Sequence, residues 1–176
     1  MNKRITRNTP KTNCEYTITQ TRVLYKLSWS ILFISLPLIL RFVLGPSYTM
    51  LIFFQLLCII IAIPAIIISI NHWKYNGKVK LIFKQGLDEF TVFNKSKKYV
   101  FDVKNINEIM RRKTLSSFAP WNVYEYSIIK FNDNSELWVS NLLIKTDVLD
   151  SYLQTPQINE SKPLFPLMRK TVHNNT

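Results

Sequence analysis

Apolar residues run almost without interruption from Leu27 to Ile70, and after that block the pattern changes to alternation. As one helix the block would be about 66 Å long at 1.5 Å per residue, twice a hydrocarbon core of about 30 Å. Two spans fit better: roughly residues 27–45, "LSWSILFISLPLILRFVLG", and 48–70, "YTMLIFFQLLCIIIAIPAIIISI". Gly45-Pro46-Ser47 reads as the turn between them, because glycine suits a helix end and proline the first turn of the next helix. Arg41, the only charged side chain in the block, lies one turn before that end, where its long stem can reach headgroups. Neither span offers it an acidic partner, which argues against a charge serving ion or substrate passage. Pro37 and Pro64 read as local bends, one in each span.

From Gly77 to about Leu153 short runs alternate between apolar and polar positions. Residues 78–84 (KVKLIFK) place Val79, Leu81 and Phe83 on one side, as a half-buried strand does. A turn at Gln85-Gly86 leads to 87–93 (LDEFTVF), and the NKSKK turn leads to 99–103 (YVFDV). Residues 106–113 (INEIMRRK) read as a strand with Ile106 and Met110 facing inward. Residues 123–131 (VYEYSIIKF) and 136–142 (ELWVSNL) flank NDNS, a strong turn signal. Residues 144–153 (IKTDVLDSYL) change to helical spacing, with Leu149, Tyr152 and Leu153 on the buried face and Thr146 or Asn141 as N-cap. The expected fold is a membrane α-helical hairpin plus a small β-rich, α+β domain: a curved antiparallel sheet or open barrel closed by one C-terminal helix. Its expected divisions are a flexible basic tail (1–23), the hairpin (24–73), the domain (77–154) and an extended C-terminal tail (155–176).

Charge orients this arrangement. Lys3, Arg4, Arg7, Lys11, Arg22 and Lys26 precede the first span against Glu15 alone, and Lys74, Lys78, Lys80 and Lys84 follow the second before any acid. The excess of cytoplasmic Lys and Arg around membrane helices then puts both termini on the cytoplasmic side of the cell inner membrane. The formal charge of +12 calls for an anionic partner. Lys74, Lys78, Lys80, Arg111, Arg112 and Lys113 are expected to meet anionic lipid headgroups non-specifically, each worth about 1 kcal/mol at a membrane surface. Nucleic acid is not expected, since no aromatic residues interleave the basic runs as a stacking platform.

The order of elements resembles the bacterial membrane-anchored pleckstrin-homology-like proteins. The resemblance is carried by GKVKLIFKQGLDEFTVF, YVFDVKNINEI and YSIIKFNDNSELWVS, and covers roughly residues 24–153. In VFDVKNINEI, Val103, Ile106 and Ile109 hold the apolar positions of the family's strand-to-strand stretch. The long loop from Thr114 to Asn122 departs from the pattern. The resemblance implies a PH-like fold with a binding role. In pleckstrin-homology domains a basic first hairpin loop can grip phosphorylated inositol headgroups. Here Lys84-Gln85-Gly86 holds one lysine and is followed by two acids, so non-specific orientation on the membrane is the expectation instead.

No motif for catalysis presents itself, and no enzyme is expected. Asp88 and Glu89 point to opposite faces of an alternating strand and cannot cooperate as an acid–base pair. His72 sits at a span end beside Trp73, and His173 in a polar tail. Three glycines leave no phosphate-cradling loop, and Cys14 and Cys58 form no metal-binding spacing, so neither cofactor nor metal is expected. The aromatic loop raises three readings. Phe118 and Trp121 pack on the sheet, dip into the bilayer or, with Leu164 and Phe165 of the tail, bind a protein partner or a second copy of the chain. The expected role is a binding, scaffold or accessory subunit of a membrane complex. The rival is a small channel or transporter subunit whose hairpin is itself functional.

Overall fold

The computed structural model describes residues 13–45, 49–84, 88–115, 117, 119–153 and 158–173. Its first element is a strand, β1 (Asn13–Thr17), followed at once by two long helices, α1 (Gln20–Leu44) and α2 (Thr49–Asn76). Thr19 caps α1 by accepting from the Arg22 backbone N–H, and Gly45 ends it at φ 93°, a conformation a Cβ would oppose. Pro46 and Ser47, expected as the turn, lie outside the described residues. Both helices run past the expected spans, and Gln20–Val43 and Met50–Asn76 are long and apolar enough to cross a membrane by length and composition. Their outer faces are bare: Phe42, Met50, Phe53 and Ile60 are among many exposed apolar side chains.

One stripe of α2 is covered from Cys58 to the end of the helix. Cys58, Ala62, Ala65, Ser69, His72 and Asn76 are all buried, at alternating four- and three-residue spacing along one helical face. The small residues of the stripe permit close helix approach. Its last members, Ser69, His72 and Asn76, are polar and belong to a stretch that docks on the β domain. Gly77 ends α2, its N–H donating to the Trp73 carbonyl at 2.7 Å. A Cβ there would meet that carbonyl oxygen at 2.5 Å, so the turn from helix into sheet needs glycine.

Six strands follow: β2 (Val79–Lys84), β3 (Glu89–Asn94), β4 (Lys97–Asp102), β5 (Ile106–Lys113), β6 (Glu125–Phe131) and β7 (Glu136–Ser140). Helix α3 (Thr146–Leu153) and two tail strands, β8 (Ile158–Ser161) and β9 (Val172–His173), complete the chain. They form two sheets, an antiparallel β1-β2-β3-β4 and a mixed β8-β5-β6-β7-β9 in which only β5 and β8 run parallel. The segment expected as a loose basic tail therefore supplies an edge strand, paired with β2 from Asn13↔Lys84 to Thr17↔Lys80. The tail expected to be extended supplies both edges of the second sheet.

Alternation places the main core as expected. Leu81, Val92, Ile109, Ile129 and Leu137 are sealed between the sheets, with Leu149 and Leu153 of α3 closing one end. Phe83 stacks on Tyr152 at 4.3 Å and Phe101 on Phe131 at 4.5 Å, arrangements that add to simple area burial. Met110 departs from expectation. A bulge between Ile106 and Glu108 shifts the register, so Ile106 and Ile109 share the core side. Met110 instead joins Tyr126, Ile128 and Trp138 on the other face, which Met168 of the tail covers. Neither expected residue caps α3: Thr146 is its first helical residue, and the Asn141 side-chain amide donates to the Val123 carbonyl at 2.7 Å.

Candidate functional site

The basic run at the end of β5 faces the chain's own tail. Register sets Arg111 opposite Glu160 and Arg112 opposite Ser161. Lys113 pairs with Glu160 at 2.9 Å, and Arg112 donates to the Ser161 hydroxyl at 2.5 Å. Arg111, with a side chain only 10% exposed, forms a close ion pair with Asp150 of α3 at 2.6 Å. Hydrogen bonding and attraction from Lys113 hold the Glu160 carboxyl below its ordinary range. Of the residues expected at lipid headgroups, these three are thus engaged within the protein. Lys80 pairs with Glu15 of β1 at 2.8 Å, Lys74 lies over the Tyr75 ring, and the Lys78 carbonyl accepts from the Lys95 backbone N–H.

Charged residues that sequence reasoning counted only for orientation converge beside this cluster. Arg22 and Lys26 stand one turn apart on the first turns of α1. Arg22 Nη1 donates to the Leu142 and Leu143 carbonyls at 3.0 and 2.6 Å, and Lys26 Nζ to the Val123 carbonyl at 2.6 Å. These bonds fasten α1 to the chain on either side of β6 and β7. Between them and the start of α3 lies a cavity of about 750 Å³. Five basic side chains line it (Arg22, Lys26, Arg111, Lys113 and Lys145) against three acidic ones, Glu125, Asp147 and Asp150. Its lining is therefore net cationic, and the first residues of two helices, α1 and α3, border it. The signals in sequence were the basic run holding Arg111 and Lys113 and the four-residue spacing of Arg22 and Lys26; Lys145 carried none.

The aromatic residues gather at a second place. Trp121 Nε1 donates to the Leu164 carbonyl at 3.0 Å, and the Trp121 and Phe165 rings lie 5.4 Å apart. Trp121 also packs near Ala65 and Ile68 of α2 through Tyr124 and Leu142. The loop thus packs largely on the chain's own tail and helix, while Leu164 and Phe165 stay substantially exposed. Phe118 lies outside the described residues. His72, expected at an interface, is fully buried: its Nε2–H donates to the Pro166 carbonyl at 2.8 Å, between Tyr124 and Tyr126.

A family model described as PH domain matches residues 15–151, from within β1 to within α3. The chain belongs to the PH domain family. No curated protein and no solved structure matches it. The matched interval takes in both long helices, which lie in the chain between the paired strands β1 and β2. The connection around Lys84 that sequence reasoning compared with the family's first hairpin loop joins β2 to β3, and β2 is also paired with β1 across the two helices.

Proposed function

We infer that this PH domain is anchored in a bacterial inner membrane by its inserted hairpin, with both termini cytoplasmic, and acts as a binding or scaffold component of a membrane complex. The observation that carries the reading is the placement of the two helices between β1 and β2. Two helices with bare apolar faces leave the domain through adjacent, paired strands, Thr17 of β1 lying opposite Lys80 of β2. Arg22 and Lys26 fix one helix to the domain, and Asn71, His72 and Asn76 fix the other. A domain held in this way presents one fixed surface to the membrane and another to the cytoplasm. The exposed Leu164 and Phe165, backed by Trp121, offer the cytoplasmic partner an apolar contact with a polar surround.

Alkaline carbonate extraction followed by mild-detergent purification tests this. The chain is expected to stay with the membrane in carbonate and to elute with a stoichiometric protein partner, lost on Phe165→Glu without loss of the folded chain. Release by carbonate, or elution alone in every detergent, would contradict it.

A further inference from the structure

Strand β4 ends the first sheet and pairs only with β3 among the described residues. Just past it, the Val103 N–H donates to the Asp88 carbonyl at 2.6 Å. Bonded residues alternate along an antiparallel ladder, so Tyr99 and Phe101 also bond to β3. Lys98 and Val100 then hold their N–H and C=O groups, and Asp102 its N–H, out at a free edge. Tyr99, Phe101 and Val103 pack on the main core, so the side chains of 98, 100 and 102 share the opposite face. Lysines on an edge strand ordinarily block pairing with another chain. Here the block is incomplete: Val100, at the middle of the edge, is 55% exposed, and Asp102 reverses the charge at its far end.

Laid antiparallel on a second copy of itself, this edge is self-complementary. Outward groups must face outward groups, which admits every second register only. The register centred on Val100 sets Val100 against its counterpart, Lys98 against Asp102 of the other copy, and Tyr99 beside Phe101. The neighbouring registers set Lys98 opposite Val100 or opposite Lys104. Unlike charges directly across a strand pair stabilise it and like charges oppose it, so the centred register is favoured. The strand's ends extend the match. A hollow of about 400 Å³ at its start is lined by Lys95 and Lys97, and one of about 240 Å³ at its end by Asp102 and Asp133. The centred pairing lays the basic end of each copy along the acidic end of the other. Lys104 is paired with Asp88 at 2.6 Å and leaves that end acidic.

We propose that two copies of the chain associate through β4, joining their four-stranded sheets about a two-fold axis at Val100. Such a contact is closed, because each edge uses up the other. It does not rest on the membrane reading, nor on the Leu164–Phe165 contact. Copies sharing one membrane are related by an axis along its normal, which sets the paired sheets across that direction.

Disulfide trapping of the full chain tests this, in membranes and in mild detergent, with copper–phenanthroline as oxidant and Cys14→Ser, Cys58→Ala as background. Val100→Cys puts two thiols on residues about 5.5 Å apart at Cα, within disulfide reach. Ser96→Cys, also exposed but far from the axis, is the control. Val100→Cys is expected to give a covalent dimer at least five-fold faster than Ser96→Cys. Adding Lys98→Glu should slow that trapping about ten-fold, and mixing this chain with one carrying Val100→Cys and Asp102→Lys should restore it. In the unsubstituted chain, amide exchange at Lys98, Val100 and Asp102 should be slow when the chain is concentrated. Equal trapping at positions 96 and 100, or trapping indifferent to Lys98→Glu, would overturn the proposal. So would fast exchange at those three amides at every concentration. A Val100→Cys adduct formed in cells only with a different protein would assign the edge to another strand and overturn it too.

Discussion

Asn76 closes an edge that the strands leave open. Among the described residues, strand β9 covers β7 only at Glu136 and Leu137, which leaves backbone groups farther along that strand to be met some other way. Asn76 Oδ1 accepts the Ser140 N–H at 2.7 Å and its Nδ2 donates to the Trp138 carbonyl at 3.2 Å, so a helix side chain stands in for a strand neighbour. Asn76→Ala would leave both groups buried and unmet, at a cost of about 2–3 kcal/mol. Lys98→Ala, at an exposed position of β4, should change stability by less than about 0.5 kcal/mol. Chemical denaturation in detergent compares the two; equal effects would remove Asn76 from the hinge between hairpin and sheet. This role was hard to read from sequence. A polar residue at the end of an apolar helix looks the same whether it meets lipid headgroups or a buried sheet edge. Only the continued spacing through Ser69, His72 and Asn76 hinted that the helix goes on into protein.

Among the elements, β2 to β7 were legible because alternation survives in KVKLIFK, DEFTVF and SIIKF, and INEIMRRK was bounded as observed. Strand β1 was not, for a physical reason. NCEYT is short and mostly polar, an edge strand with one side open, and its partner lies beyond both long helices. Tyr16 is the residue that commits it to the fold, edge-on to both Phe83 and Tyr152 at 6.1 Å. Tyr16→Ala should therefore cost about 2 kcal/mol, read by thermal melting, whereas a change in a loose tail would cost nothing.

The tail strands carry an acid-sensitive contribution. Hydrogen bonds from Asn159 and Lys130 lower the Glu108 pKa, and Lys113 does the same for Glu160. At Glu136 partial burial works the other way, but bonds from Lys170 and Trp138 prevail and its pKa also falls. Carboxyls whose pKa drops on folding stabilise fully above the ordinary carboxylate range and lose that effect as pH falls through their folded values. Amide exchange across 158–161 and 172–173 should accordingly quicken below about pH 4, while the centre of β2 stays protected. Protection of the tail strands unchanged down to pH 2 would contradict the role assigned to these pairs.

At the scale of the whole molecule, hairpin and domain are one construction. The chain enters the PH domain through β1, leaves it for two long apolar helices and returns through β2, so the domain surrounds the hairpin's ends. Sequence reasoning saw a hairpin followed by a domain, because the apolar block dominates the pattern and the five residues before it do not. It missed the cavity for the same reason: its lining comes from α1, β5, β6 and α3, stretches far apart along the chain. What the sequence did disclose is the charge asymmetry on either side of the block, and this supports one orientation for the entire assembly.

That orientation is tested most directly by cysteine labelling in intact cells with a membrane-impermeant reagent. With Cys14→Ser and Cys58→Ala as background, single cysteines are introduced by Ser47→Cys between the helices and Ser96→Cys in the β3–β4 turn. The account predicts that Ser47→Cys reacts from outside without permeabilisation and Ser96→Cys only after lysis. Labelling of Ser96→Cys in intact cells, or protection of Ser47→Cys until lysis, would contradict it.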